Sequence, residues 1–248
     1  MYANNETGVV FPLEEIAAIC RSKGVLFHTD AVQTPGKLPL DARALGIDYL
    51  SLSAHKLHAT KGIGLLYCRK GAPWQPYLMG GSQEMGRRGG TENVAGMVAF
   101  GKAAELAKAS LENDVLRICA LRDRMEEGIL GSIPNVTRNG AKEPRLPNTS
   151  NLSFADCEAE AILLLLDRDG ICASSGSACT TGSLAPSHVL TAMGNTPGQA
   201  IGSVRLSLSK YTTDAEVDYL LEKLPPIIEK LRGVSPKSIE QKAEEISQ

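Results

Sequence analysis

No run of about 18 apolar residues occurs in this 248-residue sequence, so a membrane-spanning helix is not expected. The first twenty residues lack a basic start followed by an apolar stretch, and no secretory signal is expected. None of the six cysteines, Cys20, Cys68, Cys119, Cys157, Cys172 and Cys179, belongs to a C-x-x-C pair, which argues against zinc ribbons and thioredoxin-type motifs. With no signal peptide, their even count reads as reduced thiols of a cytoplasmic protein rather than a disulfide framework. Positive charge is not in excess either. Twenty-six basic residues face 28 acidic ones, a net charge of −2, and a nucleic-acid partner is not expected. Aromatic residues make up only 4% of the chain, but 43% hydrophobic and 22% charged residues are ordinary globular values. They exclude disorder, collagen and coiled coil. The length suits one large domain or two modest ones with a real core.

Glycine is abundant, at 24 residues, and much of it gathers at Gly62–Gly64, Gly80–Gly90 and Gly170–Gly182. Such clusters mark loops with special backbone demands, where function often resides. Pro12 opens a helical pattern that Gly24 closes. Val25–His28, Ile47–Leu52 and Gly64–Cys68 read as short buried strands, so an α/β domain with a mainly parallel sheet is expected. Trp74–Thr91 is a Gly-rich loop ending in a threonine that reads as a helix cap. Val94–Lys108 and Asp114–Leu130 read as helices, or as one long helix linking two lobes. The second half mixes strands near Asn135–Arg138, Asn151–Phe154, Ile171–Ala173 and Val204–Leu208 with helices over Glu158–Asp167 and Pro186–Met193. Thr213 and Glu216 form a capping box for a last helix that Pro225 and Pro226 should interrupt. This half reads as a small α+β domain, with the boundary near residue 112.

Two strand ends carry chemistry. Val25–His28 runs into Thr29-Asp30-Ala31-Val32-Gln33, and Ile47–Leu52 runs into Ser53-Ala54-His55-Lys56. In open α/β sheets, ligands bind outside the carboxyl ends of the strands. Singly, Asp30 reads as a helix cap and Lys56 as a solvated charge. Together they meet the need of a pyridoxal phosphate enzyme for a lysine that bonds the cofactor and an acid beside the pyridine nitrogen. Gln33, Ser53 and His55 are then candidates for the phenolate oxygen and the phosphate. Cys179 lies among small polar residues, Ser174 to Ser183, and reads either as a mobile nucleophile or as an inert loop thiol. Cys20 and Cys119 fall on helical apolar faces and read as core thiols. Gly80–Thr91, with Arg87 and Arg88, reads either as an anion cradle or as a surface turn. Arg205 reads as a bidentate partner for a carboxylate or as one half of a surface ion pair.

Ala3-Asn4-Asn5-Glu6-Thr7-Gly8, His28–Gln33, Ser53–Lys56, Arg88-Gly89-Gly90-Thr91-Glu92-Asn93 and Ser174–Thr180 together resemble the cysteine desulfurases of the nitrogen-fixation type. These are class-V aminotransferase-like pyridoxal phosphate enzymes of fold type I, and the resemblance runs from residue 1 to about 235. Ala161–Leu166 with Ala173–Cys179 favours the nitrogen-fixation branch over the housekeeping one. The resemblance implies part of a fold-type-I large domain over residues 1–112 and a small α+β domain over 113–248. It implies pyridoxal 5′-phosphate held by Lys56, which also acts as the proton-transfer base. His55 and Ser53 lie at the phosphate, Asp30 at the pyridine nitrogen, and Gln33 and Asn5 near the phenolate oxygen, with Asn5 also at the substrate. Thr91 matches the threonine that reaches the phosphate of the neighbouring subunit, which implies a homodimer. Arg205 matches the arginine that grips the carboxylate of L-cysteine, and Cys179 the cysteine that takes its sulfur. The implied products are L-alanine and a persulfide passed to an iron–sulfur scaffold protein. No resident metal is implied, although Cys179 could ligate an iron–sulfur cluster transiently. The family has a sizeable segment before the Asn-Asn motif, at which this sequence begins, so a short sheet with an open edge is expected. A selenocysteine lyase, or an inactive fragment serving only dimerisation or acceptor binding, are the alternatives.

Overall fold

The computed structural model describes residues 1–176 and 186–234, which form two compact units. The first comprises Met1–Ala3 and Phe11–Asn113. The second comprises Asn4–Val10 and the chain from Asp114 onward.

In the first unit, helix α1 spans Leu13–Ser22 and buries Leu13 and Ala17. Pro12 precedes it, Glu14 and Glu15 face its positive end and Arg21 its negative end, as the helix dipole favours. Gly24, at φ +63°, closes it. Strand β1, His28–Asp30, begins three residues later than the apolar run suggests. Val25 and Leu26 are exposed, and the Phe27 amide donates to the Asp48 carboxylate instead of a ladder partner. Strand β2 is Tyr49–Ser53 and β3 is Gly64–Cys68. The sheet order is β1-β2-β3. β1 and β2 run parallel, as expected, with Asp30 opposite Ser51. β2 and β3 run antiparallel, a departure from the mainly parallel sheet read from the sequence. Residues 54–63 between them are too few for the crossover that parallel neighbours require. Leu13, Ala31, Leu45, Ile47 and Leu50 form one small core, and Ala54, Leu57 and Phe100 another.

The two helical stretches after residue 93 are one helix, α3, over Val94–Ser132. Its cap is Asn93, whose Oδ1 accepts the Gly96 amide, rather than Thr91. The preceding loop contains a single irregular turn, α2, at Gln83–Gly86.

In the second unit, β4 (Val136–Arg138), β5 (Thr149–Phe154) and β6 (Ser203–Ser207) form an antiparallel sheet in that order. Every residue of β5 is buried. Ile118, Leu121, Met125 and Ile129, at helical spacing on α3, cover the sheet's core with Ile162 and Leu166 of α4 (Ala159–Arg168). Ile171–Ala173 is not a strand. The neighbouring Ser174 makes an isolated bridge with Arg205. Helix α5 is His188–Ala192, and α6, Pro197–Ile201, was not anticipated although Thr196 and Gln199 form a capping box with proline at its first turn. Helix α7 spans Asp214–Gly233 and starts at the expected Thr213 capping box. Pro225 and Pro226 do not interrupt it. Leu224, Ile227 and Ile228 around them are buried in the core, and that packing holds the helix through the two missing amide donors. Cys119 and Cys20 are half-buried rather than core residues.

One charged cluster is built into this unit. Glu126, 2% exposed, accepts two hydrogen bonds from Arg145 at 2.6 and 2.8 Å, one from Arg138 at 2.7 Å and one from Ser150 at 2.6 Å. Burial pushes its pKa up, but the hydrogen bonds from Arg145, Ser150 and Arg138 and the Arg145 charge outweigh burial and bring it to about 2.

Candidate functional site

Asp30 and Lys56 leave the carboxyl ends of adjoining parallel strands in the first unit. Asp30 ends β1, and its Oδ1 accepts the Val32 amide at 2.9 Å as the chain turns away. The turn is fixed by Thr34, whose amide and hydroxyl both donate to Ala31 O. Among the described residues, no hydrogen bond engages Asp30 Oδ2. β2 runs directly into a 3₁₀ turn, Ala54–Leu57, which buries Ala54 and Leu57 and leaves His55 exposed and Lys56 half-exposed. His58 ends that turn in the left-handed region, at φ 62°. Ser53 Oγ and His55 Nδ1 are 2.8 Å apart, and His28 Nε2 lies 2.8 Å from Ser51 Oγ. An exposed carboxylate, a half-exposed amine and a coupled serine–histidine pair at two neighbouring strand ends suit a ring with a cationic nitrogen and a phosphate tail. By the chemistry of this donor set, the residues fit pyridoxal phosphate.

Gln33 sits in the same turn and contributes its backbone oxygen to Lys37 Nζ at 3.1 Å. No sequence motif marks Lys37. Burial and then the charge of Lys56 lower its pKa to about 8. The close packing comes from Gly36, at φ +71°, where a Cβ would stand 3.0 Å from Leu57 Cδ2. The Gln33–Lys37 spacing of four was the one local hint. Thr91 is exposed and, with Arg88, Leu65, Leu66, Met97 and Phe100, lines a groove of about 1570 Å³ within the first unit. The glycines before it have a steric reason: a Cβ on Gly89 would meet the Gly80 backbone at 3.0 Å.

Asn5 and Arg205 fall in the second unit and are bonded to each other, Arg205 Nη1 donating to Asn5 O at 2.8 Å. Arg205 lies mid-strand on β6, opposite Asn151, and its backbone exchanges two hydrogen bonds with Ser174. Asn5 lies in a tight turn organised by the buried Asn4, whose Oδ1 accepts the amides of Glu6 and Thr7, both at 2.9 Å. Gly8 follows at φ +78°, and a Cβ there would crowd Thr149 at 3.1 Å. Asn151 Nδ2 donates to Glu6 O. The Glu6 side chain, not singled out in the sequence, is buried and accepts the Ser187 hydroxyl at 2.6 Å. Cys179 lies outside the described residues. Among the described residues, no group of three or more His, Cys, Asp or Glu side chains could hold a metal ion, and no helix is long and apolar enough to cross a membrane.

The class-V aminotransferase family model matches residues 1–220. Cysteine desulfurase 2 of Trichormus variabilis is 58% identical over 241 residues, covering 97% of this chain and 60% of that protein. The cysteine desulfurase NifS of Azotobacter vinelandii is 52% identical over 236 residues, covering 95% of this chain and 59% of its own. The solved structure of a NifS-like protein from Rickettsia africae superposes with a TM-score of 0.85 at 34% identity, over 92% of this chain and 60% of that one. The chain thus spans about 60% of the length of the curated relatives it matches.

Proposed function

Because the chain belongs to the class-V aminotransferase family, we propose that it works as a pyridoxal 5′-phosphate-dependent cysteine desulfurase, taking sulfur from L-cysteine and leaving L-alanine. The observation that carries this reading is the placement of Asp30 and Lys56 at the carboxyl ends of a parallel strand pair, in a chain 58% identical to a cysteine desulfurase. Residues 1–112 belong to the cofactor-binding large domain in this reading and 113–248 form the small domain.

When bound, the cofactor supplies an electron sink for the substrate carbon skeleton. Asp30 holds a proton on the pyridine nitrogen, a role suited to an exposed carboxylate that commits one oxygen to the Val32 amide. Lys56 Nζ bonds the cofactor and moves the substrate α-proton. It is half-exposed, and Lys37 lies close enough to feel its charge. Ser53 and His55, already paired, orient donors toward the phosphate. Gln33 and Asn5 serve the phenolate oxygen. Arg205 grips the substrate carboxylate, and its bond to Asn5 O keeps the guanidinium oriented. The Cys179 thiolate accepts the sulfur and becomes a persulfide, with an iron–sulfur scaffold protein as its acceptor. Thr91 reaches the phosphate of a second copy of the chain, so the working form is a homodimer, in the cytoplasm.

The test is direct. Added pyridoxal 5′-phosphate should give a visible absorbance band that Lys56→Ala abolishes, and L-cysteine should yield equal amounts of L-alanine and sulfide when a reductant is present. A chain that shows no band, or a band unchanged in Lys56→Ala, refutes the reading.

A further inference from the structure

Leu152 and Phe154 of β5 and Val204 and Leu206 of β6 enter the apolar core of the second unit. Their neighbours turn to the other face of the sheet, as the pleat requires, and there Asn151 stands opposite Arg205 and Ser153 opposite Ser203. A fully buried asparagine in mid-strand is costly unless its amide is bonded. Asn151 Oδ1 accepts from Asn139 Nδ2 at 2.7 Å, and Asn151 Nδ2 donates to Glu6 O at 3.2 Å. The network fixes the orientation of that amide. Asn139 Oδ1 accepts from Asn195 Nδ2 at 2.6 Å, which leaves Asn139 Nδ2 to face Asn151. Rotating the Asn151 amide would set donor against donor and acceptor against acceptor.

The bond to Glu6 gains its meaning from the next residue along the chain. Glu6 is joined by one peptide bond to Asn5, and the Asn5 carbonyl accepts Arg205 Nη1 at 2.8 Å. The Glu6 amide is itself held by Asn4 Oδ1 at 2.9 Å. The far end of the turn is tied separately, Leu146 N donating to Gly8 O and Val10 N to Pro144 O. Asn151 therefore faces Arg205 across the ladder and also restrains, through Glu6, the segment whose carbonyl Arg205 bonds.

We propose that Asn151 is a positioning residue for the substrate-binding arginine: its amide fixes the Glu6 carbonyl, the turn carries that restraint to the Asn5 carbonyl, and the Arg205 guanidinium is held ready for the substrate carboxylate. This deepens the desulfurase reading and rests on it, since that reading assigns Arg205 to L-cysteine. An arginine oriented before the substrate arrives loses less side-chain freedom on binding. The carboxylate takes no part in bond breaking, so the restraint should act on KM and not on kcat.

The experiment uses the full chain loaded with pyridoxal 5′-phosphate. It compares Asn151→Leu, close in shape but without the amide, with Ser203→Ala, which disturbs the same buried network and leaves the Asn151–Glu6 bond in place. L-Alanine release is followed across L-cysteine concentrations, beside the absorbance of the bound cofactor. Asn151→Leu should raise KM on the order of tenfold, with kcat within about twofold and the absorbance unchanged. Ser203→Ala should leave KM at the wild-type value. In an Arg205→Lys background, which has already lost the bidentate grip, Asn151→Leu should add less than about a further twofold. A wild-type KM in Asn151→Leu, an equal rise in Ser203→Ala, or an undiminished rise in the Arg205→Lys background each overturns the proposal. If Asn151→Leu does not fold, Asn151→Asp, which keeps the acceptor for Asn139 and lacks the amide donor, carries the same expectations. A chain with no cofactor absorbance or no L-cysteine turnover refutes the desulfurase reading. The positioning is then decided without cofactor by the rate at which phenylglyoxal, an arginine-selective reagent, labels Arg205, read by mass spectrometry. Faster labelling in Asn151→Leu but not in Ser203→Ala supports it, and equal rates overturn it.

Discussion

Replacing Glu126 by glutamine should destabilise the second unit by about 3–5 kcal/mol, the cost of stranding a buried partner charge. Arg145 is 7% exposed and spends both terminal nitrogens on this carboxylate, so the variant leaves its guanidinium facing a neutral amide, with the half-exposed or exposed carboxylates of Asp123 and Glu143 farther off at 3.6 and 3.9 Å. The acid side gives an independent figure. A pKa lowered from 4.5 to about 2 corresponds to roughly 3 kcal/mol of stabilisation at neutral pH. The sign follows from proton binding: between about pH 2 and 4.5 the unfolded chain binds the proton that the folded chain refuses. This stability is therefore complete above about pH 4.5 and is lost as pH falls toward 2. Urea unfolding followed by far-ultraviolet circular dichroism measures both effects. With a slope of about 2 kcal/mol/M, Glu126→Gln should lower the midpoint by about 1.5–2.5 M at pH 7. The double variant Glu126→Leu with Arg145→Met should recover much of the loss, because neither charge is then buried alone. A midpoint shift below about 0.5 M, or equal acid sensitivity in Glu126→Gln and wild type, would refute this account.

Gly202→Ala should cost about 1–3 kcal/mol, because its Cβ would lie 2.6 Å from Phe154 O and 2.7 Å from Cys157 O, both backbone atoms that cannot easily yield. An unchanged thermal midpoint in calorimetry counts against it. Lys37→Met should remove a rise in stability between about pH 8 and 10.5, since the folded chain gives up the Lys37 proton before the unfolded chain does. It should also make the protein more stable than wild type at pH 7, by up to about 3 kcal/mol. Equal slopes of stability against pH in the two proteins would show that Lys37 is not the group responsible.

Helix ends were legible wherever their signals are local. Pro12 and Gly24 bracket α1, and Thr213 with Glu216 opens α7. Thr196 and Gln199 carry the same kind of signal for α6. Pro225 and Pro226 misled because a local breaker was weighed without the buried leucine and isoleucines that hold α7 in the core. β1 was displaced because an apolar run cannot say which of its residues find a ladder partner. The spacing of Asp30 and Lys56 was readable because each follows a strand end. Cys179, the other landmark, lies outside the described residues. Glu6 was not legible as anything but part of a motif, since its partner Ser187 is 181 residues away. Lys37 was hidden for a similar reason: its character depends on Lys56 and on the room Gly36 leaves.

The chain changes unit three times, after Ala3, Val10 and Asn113. During synthesis, Asn4–Val10 leaves the ribosome about 145 to 200 residues before its partners Asn151, Ser187 and Arg205, and at 5–20 residues per second it waits roughly 7–40 s for them. Its amides to Asn4 are local and can form at once, but the Asn151, Ser187 and Arg205 bonds close late. Neither unit can be made as one uninterrupted piece of the gene, and a clone cut at residue 113 would deprive the second unit of the turn that joins its Arg205 to its Ser187.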